Sequence, residues 1–363
     1  MRPRACFRFL LGAVAPPLSR WRRNAYRTSI LFTFAALSAQ TQGEPAAAPE
    51  PYAPAYYTGL QGRPAQLVLF PSSGKSAKVD LPLPTLPRVV AFAREGNALF
   101  AVLDTNVYPR TAGRSARLGA PRLVRIGLAP VSVTTLADLA GLAWVAGLAL
   151  SPGQDAILMV AAGWEGHAGC DLFAIGIDGQ NLHMVRPDFG CSLDGASPDG
   201  ASILVRRGLG LDIVDLATWT ATPLGDGLWK AAWSPDGKWI AALQLDPRSD
   251  TPRPRRSRTI LINAANLAMR RDMGGGNDEE VVWSPDSRFM LYGEWSARCP
   301  GHSPRDPGAS PITLFRMDIR TGKREPVKES VCRVNSHQIG WVSSDVVPRN
   351  EVPSPARTGL RAR

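Results

Sequence analysis

The sequence predicts an all-β protein, a β-propeller of six four-stranded blades. Three observations predict it. One hairpin unit recurs along the chain, and a second hairpin of different composition follows most copies. Two strands near the start have no hairpin of the first kind before them, and the last copy of that hairpin has nothing after it. Four-stranded units repeating about every 40 residues are the signature of propeller blades.

The clearest copy of the unit is AAWSPDGKWIAAL, Ala231–Leu243. An apolar run enters the turn Ser234-Pro235-Asp236-Gly237, and a second apolar run leaves it. Proline presets φ for a turn, aspartate bonds nearby amides, and glycine takes φ > 0 without steric cost. The unit recurs at Val281–Gly293, Gly195–Arg207 and Leu148–Val160, with degenerate copies at Val89–Leu103 and Ile339–Val347. The turns are 37 to 59 residues apart, and the variation lies in connector length. The second hairpins span Leu123–Leu136, Asp171–Val185, Leu211–Leu224, Thr259–Arg271 and Ile312–Val327.

Five blades are therefore complete. The sixth takes two strands from Ile339–Val347 and two from Gln66–Phe70 and Ala77–Leu81, so strands from both ends of the chain share the last blade. Closure of this kind removes open sheet edges. The propeller is expected over 65–347, after a Pro/Ala-rich linker at 44–64 and before a disordered basic tail at 348–363.

The net charge of +11 is concentrated at the ends. Residues 1–43 hold seven arginines and no acid, and the tail from Arg349 holds four arginines against Glu351. The body between is near neutral, which removes the support for a nucleic-acid partner. Residues 1–43 read as an N-terminal extension with a secretory signal: Arg20, Arg22, Arg23 and Arg27 precede the apolar run Ser29–Ala39. That run is too short to span a bilayer as a helix. The mature protein is thus expected to be exported, periplasmic or extracellular, with no stable membrane span after cleavage.

The repeat around Trp233–Gly237 and Trp283–Asp286, followed by strands such as LFRMDIRTG at Leu314–Gly322, resembles the TolB-type propeller repeat. The same repeat builds the propeller domains of prolyl oligopeptidases and dipeptidyl peptidases. The resemblance covers roughly Gln66–Val347. It implies a six-bladed ring and does not imply one function, because propellers serve many.

Ser197, Asp199 and Gly200, Ser234, Asp236 and Gly237, and Ser284 and Asp286 recur at one place per blade, so they read as turn architecture rather than as metal or catalytic groups. Trp233, Trp283 and Trp341 stand just before the turns and are expected to pack between blades. GASPDG at Gly195–Gly200 departs from the G-x-S-x-G nucleophile elbow, since its second glycine falls one residue late. No segment of α/β-hydrolase size accompanies it. His167, His183, His302 and His337 are scattered without metal-ligand spacing, and a zinc site from Cys170, Cys191 and His167 is the weaker reading of that cluster. No metal and no cofactor is expected.

Cys6 lies in the leader, which leaves four cysteines. Four allow three pairings. Cys170 and Cys299 precede the third strand of their blades, and Cys191 and Cys332 follow the fourth. This equivalence selects Cys170–Cys191 and Cys299–Cys332, in keeping with an oxidising compartment.

Three connectors between second and third strands are long and basic. They carry Arg110, Arg114 and Arg117; Arg248, Arg253, Arg255, Arg256 and Arg258; and Arg298 and Arg305. In a propeller these connectors share one face, and function concentrates on loops held by a rigid scaffold. The expected function is a non-catalytic binding scaffold whose arginine-rich face takes another envelope or extracellular protein, or an anionic glycan. The alternative is a propeller enzyme of lactonase, dehydrogenase or lyase type, with its site at the central tunnel mouth. For that reading Glu279, Glu280 and Glu165 are the nearest candidates.

Overall fold

A computed structural model describes residues 50–346, apart from 59–64, 72–75, 84–86, 104–119, 164–168, 247–256, 276–277, 296–308, 335–337 and the positions 152 and 209. These residues form six four-stranded antiparallel sheets. Blade one contains β1 (Tyr52–Thr58), β2 (Ala65–Leu69), β3 (Ala77–Leu81) and the last strand, β24 (Gln338–Ser343). Blade two contains β4 (Pro87–Phe92), β5 (Ala98–Leu103), β6 (Arg122–Leu128) and β7 (Val131–Asp138). Blade three contains β8 (Leu142–Leu150), β9 (Ala156–Gly163), β10 (Asp171–Gly176) and β11 (His183–Arg186). Blade four contains β12 (Gly195–Ala196), β13 (Ser202–Arg207), β14 (Gly210–Asp215) and β15 (Ala221–Asp226). Blade five contains β16 (Leu228–Trp233), β17 (Trp239–Leu245), β18 (Ser257–Asn263) and β19 (Arg270–Asp272). Blade six contains β20 (Asp278–Trp283), β21 (Phe289–Trp295), β22 (Ala309–Asp318) and β23 (Arg324–Val334).

The innermost strands are β24, β4, β8, β12, β16 and β20, and each touches the next in a complete circuit. The core is divided in the same way. Six hydrophobic clusters each join two adjacent blades; one of them packs Leu67 and Leu81 of blade one against Leu99 and Ile126 of blade two. Strands at the centre of a blade are buried on both faces, so β5 reads ALFAVL with every residue buried. Outer strands such as β7 and β11 are largely exposed.

Blade one corrects the sequence expectation in two ways. Three of its strands come from the N-terminal side and one from the C-terminal side. β1 lies within 44–64, the stretch read as a linker, and pairs with β24 on one side and β2 on the other. The segment after β24 forms a short 3-10 turn at Ser344–Val346 rather than a strand.

One turn joins the first two strands in each of blades two to six. The N–H of Ala93, Ser151, Ser197, Ser234 or Ser284 donates to the carbonyl five residues on. Three residues after that anchor, φ is positive: Gly96 (68°), Gln154 (53°), Gly200 (75°), Gly237 (74°) and Ser287 (60°). This is why glycine closes the motif, since only glycine enters that region without cost.

Candidate functional site

The six innermost strands surround a central channel of about 520 Å³. Each has a ladder partner on one side only, so its other edge faces the axis. Polar and charged residues enter the lining at two levels. At the end near the turns stand Arg94 and Gln154. They belong to a closed local network: Gln154 Oε1 accepts from Arg94 N–H at 3.0 Å, and Gln154 Nε2 donates to Glu95 Oε1. Near the other end stand Asp194, Lys230 and Glu280, from blades four, five and six.

Local structure explains that trio. The register of β16 slips between Trp229 and Ala231, and that of β20 slips between Asp278 and Glu280. Such bulges re-aim a side chain. Lys230 is the extra residue in the first and has φ 43°. Asp194 just precedes β12. Its Oδ2 accepts from Ala231 N–H at 3.0 Å, and its Oδ1 accepts from Ser192 Oγ at 3.5 Å. Burial pushes the Asp194 carboxyl above the ordinary carboxylate range, against the Ala231 hydrogen bond and the charges of Arg206 and Lys230. The channel lining therefore holds a carboxyl whose pKa is raised by burial, a lysine whose charge acts on it, and a second carboxyl, Glu280, from blade six. Such a set can exchange a proton or orient a polar ligand.

Of the residues singled out from sequence, the turn residues are the best described. Ser197, Ser234 and Ser284 donate their hydroxyls to Asp199, Asp236 and Asp286 at 2.6, 2.7 and 2.5 Å. The same hydroxyls accept from the N–H of Ser202, Trp239 and Phe289 at 2.8–2.9 Å. The aspartates in turn accept from Ala201, Lys238 and Arg288 N–H. These carboxylates are occupied inside their turns. Trp283 donates to Ala232 O of the preceding blade at 3.0 Å, and Trp233 packs with the cluster between blades four and five. Trp341 lies between blades six and one, its ring 6.3 Å from that of Phe289. It stands two residues before Ser343 rather than one, because Val342 takes the place next to the turn.

Cys170 and Cys191 form a disulfide with Cα atoms 4.9 Å apart. The Cys299–Cys332 pairing lies outside the described residues. So do Arg110, Arg114, Arg117, Arg248, Arg253, Arg255, Arg256, Arg298 and Arg305, as well as Glu165, His167, His302, His337 and the side chain of Glu279. Arg258 is not a loop residue. It belongs to β18, where it donates to Gln244 Oε1 at 2.9 Å and pairs with Asp272 at 2.6 Å. His183 Nδ1 meets Asn181 O at 2.8 Å. Among the described residues no group of three His, Cys, Asp or Glu is placed to hold a metal, and no helix is long and apolar enough to cross a membrane.

Comparison with solved structures places the architecture among β-propellers. A putative TolB from Agrobacterium tumefaciens matches with a TM-score of 0.53 and 14% identity, over 81% of this chain and 98% of that chain. A chain of a nidogen–laminin complex matches with a TM-score of 0.52 and 10% identity, over 79% and 98%. An oligogalacturonate lyase in complex with manganese matches at 0.48 and 11% identity, over 74% and 72%. No family model and no curated protein matches the chain. The chain thus has the fold of a TolB-type six-bladed propeller. Identities this low speak to the fold alone.

Proposed function

We propose that the protein is an exported binding propeller, whose partner, an envelope or extracellular protein or an anionic glycan, docks on the face opposite the short turns. The observation that carries this reading is the difference between the two faces. On one, serine hydroxyls, aspartates and backbone amides satisfy one another. On the other, the ends of β5, β17 and β21 lead into the basic connectors, and the channel end with Asp194, Lys230 and Glu280 opens on that side. Arginine presents a planar fork suited to carboxylate and sulfate-like groups. The Cys170–Cys191 bridge fits an oxidising compartment.

The test is retention of the mature protein on an immobilised acidic polysaccharide and on envelope proteins. Replacing Arg248, Arg253, Arg255 and Arg256 with Ser should abolish retention and leave thermal stability nearly unchanged. Retention should also fall steeply with salt. Unchanged retention by the variant would place function elsewhere.

The trio in the channel favours a second reading, an enzyme with its site at the tunnel mouth. In that case Lys230→Met would remove a measurable activity while retention on the polysaccharide persists.

A further inference from the structure

We propose that a cavity in the outer wall, at the seam between blades three and four, is a binding site for a small, flat carboxylate. It is separate from the channel and from the basic connectors. Its volume is about 320 Å³, and its lining includes Arg186, Asp188, Phe189, Arg207 and Trp219.

The recognition chemistry follows from these side chains. The Arg186 guanidinium lies over the Trp219 ring, 5.2 Å from its centroid, and Phe189 meets the same ring edge-on at 6.5 Å. Stacking uses the face of a guanidinium and none of its five N–H donors. Among the described residues no carboxylate takes up those donors. Arg207 contributes a second guanidinium, held loosely by Asp212 at 3.6 Å. The aromatic pair offers an apolar wall beside the fork, which suits a flat body carrying the acid. Asp188 in the lining and Asp212 beside Arg207 balance the two guanidinium charges, so a second negative charge on the ligand meets uncompensated repulsion and a monoanionic carboxylate is favoured over a phosphate dianion.

The site is also built in advance. The Cys170–Cys191 disulfide ties its rim to the start of β10. Asp188 N–H donates to Asp171 Oδ1 at 2.8 Å, and Gly190 N–H donates to Cys170 O at 3.0 Å. Among the described residues six non-glycines have positive φ, and two of them, Asp188 (48°) and Trp219 (60°), line this cavity. A bulky residue in that region is uncommon, and such strain collects at ligand sites. Groups fixed before binding lose less entropy when the ligand arrives.

The test is a ligand-observed NMR titration of the mature protein with benzoate, and separately with inorganic phosphate. Benzoate should bind saturably and more tightly than phosphate. Arg186→Gln and Arg207→Gln should each raise the benzoate Kd about tenfold or more, as expected for loss of a hydrogen bond to a charged group. Cys191→Ser should weaken binding by releasing the rim. Serine in place of Arg248, Arg253, Arg255 and Arg256 should leave the Kd unchanged, which separates this site from the proposed docking face. The proposal is overturned if benzoate does not saturate, if phosphate binds as well, if Arg186→Gln keeps the parent Kd, or if the connector variant loses binding.

Discussion

Ser287 reaches out of its own turn and accepts a hydrogen bond from the backbone N–H of Asp236, in the turn of the preceding blade, at 2.9 Å. Ser287 occupies the left-handed position that glycine fills in other blades, with φ 60°. Gln154 does the same between blades three and two, accepting from Arg94 N–H. At both non-glycine positions, backbone strain is exchanged for a link between blades. Ser287→Ala keeps the strain and loses the link, so it should cost about 1 kcal/mol in urea denaturation. Ser287→Gly loses the link and relieves about 1 kcal/mol of strain, so it should be close to neutral. Equal effects from the two variants would refute this account.

Gly340 seals the seam between the last strand and blade two. A Cβ there would fall 2.4–2.6 Å from three ring atoms of Phe92. At Gly96, which packs against Val342 and Ser343 of the same strand, a Cβ would fall 2.4 Å from Ser343 N. Gly340→Ala should therefore destabilise by about 1–3 kcal/mol through overpacking. Adding Phe92→Leu should recover part of that loss, giving a coupling energy in a double-mutant cycle. Additive losses would mean that the ring is not what Gly340 accommodates.

The turn carboxylates set an acid limb of stability. The Ser197 hydroxyl and Ala201 N–H hold Asp199 below the usual carboxylate range. For Asp236 burial acts upward, but the Ser234 hydroxyl and Lys238 outweigh it. A lowered folded pKa means that the unfolded chain binds more protons. The contribution is complete above about pH 4 and disappears as pH falls through the folded value. Denaturant midpoints between pH 2 and 7 should show this drop, and Ser197→Ala with Ser234→Ala should shrink it.

Asp194 has the opposite sign. Its raised pKa means that the folded state holds the proton more tightly, so its contribution declines as pH rises from about 4 through the folded value. Asp194→Asn should flatten that decline. Near pH 7 the variant should equal or exceed the parent in stability, provided the amide oxygen keeps the Ala231 hydrogen bond. A large loss at pH 7 with an unchanged pH slope would show that the carboxylate itself is needed.

The sequence displayed the blades because their turn chemistry is local: Ser234, Pro235, Asp236 and Gly237 carry the turn among themselves. β1 stayed hidden because YAPAYYT follows a Pro/Ala stretch and contains Pro54. That proline accepts from Phe70 N–H at the end of the β1–β2 ladder, where one missing donor is tolerated. Two of the channel trio, Lys230 and Glu280, stand at bulges, and bulges leave little trace in apolar periodicity. One signal was available: Lys230 and Glu280 both stand four residues before the turn serines Ser234 and Ser284. Asp194 stands three before Ser197, so the pattern breaks in blade four. Arg258 was misplaced because the basic run through Arg253–Arg258 continues into β18 without a compositional break.

The composite blade imposes a timetable on synthesis. β1, β2 and β3 leave the ribosome first, but the strand that must lie beside β1 on the axis leaves last. Until then β1 presents a bare edge, and the apolar surfaces that Val342, Ile339 and Trp341 will cover face water. The nascent chain is an open arc exposed to pairing with other chains. The final strand therefore completes the inner wall and at the same moment covers the β1 edge and the apolar surfaces beside it.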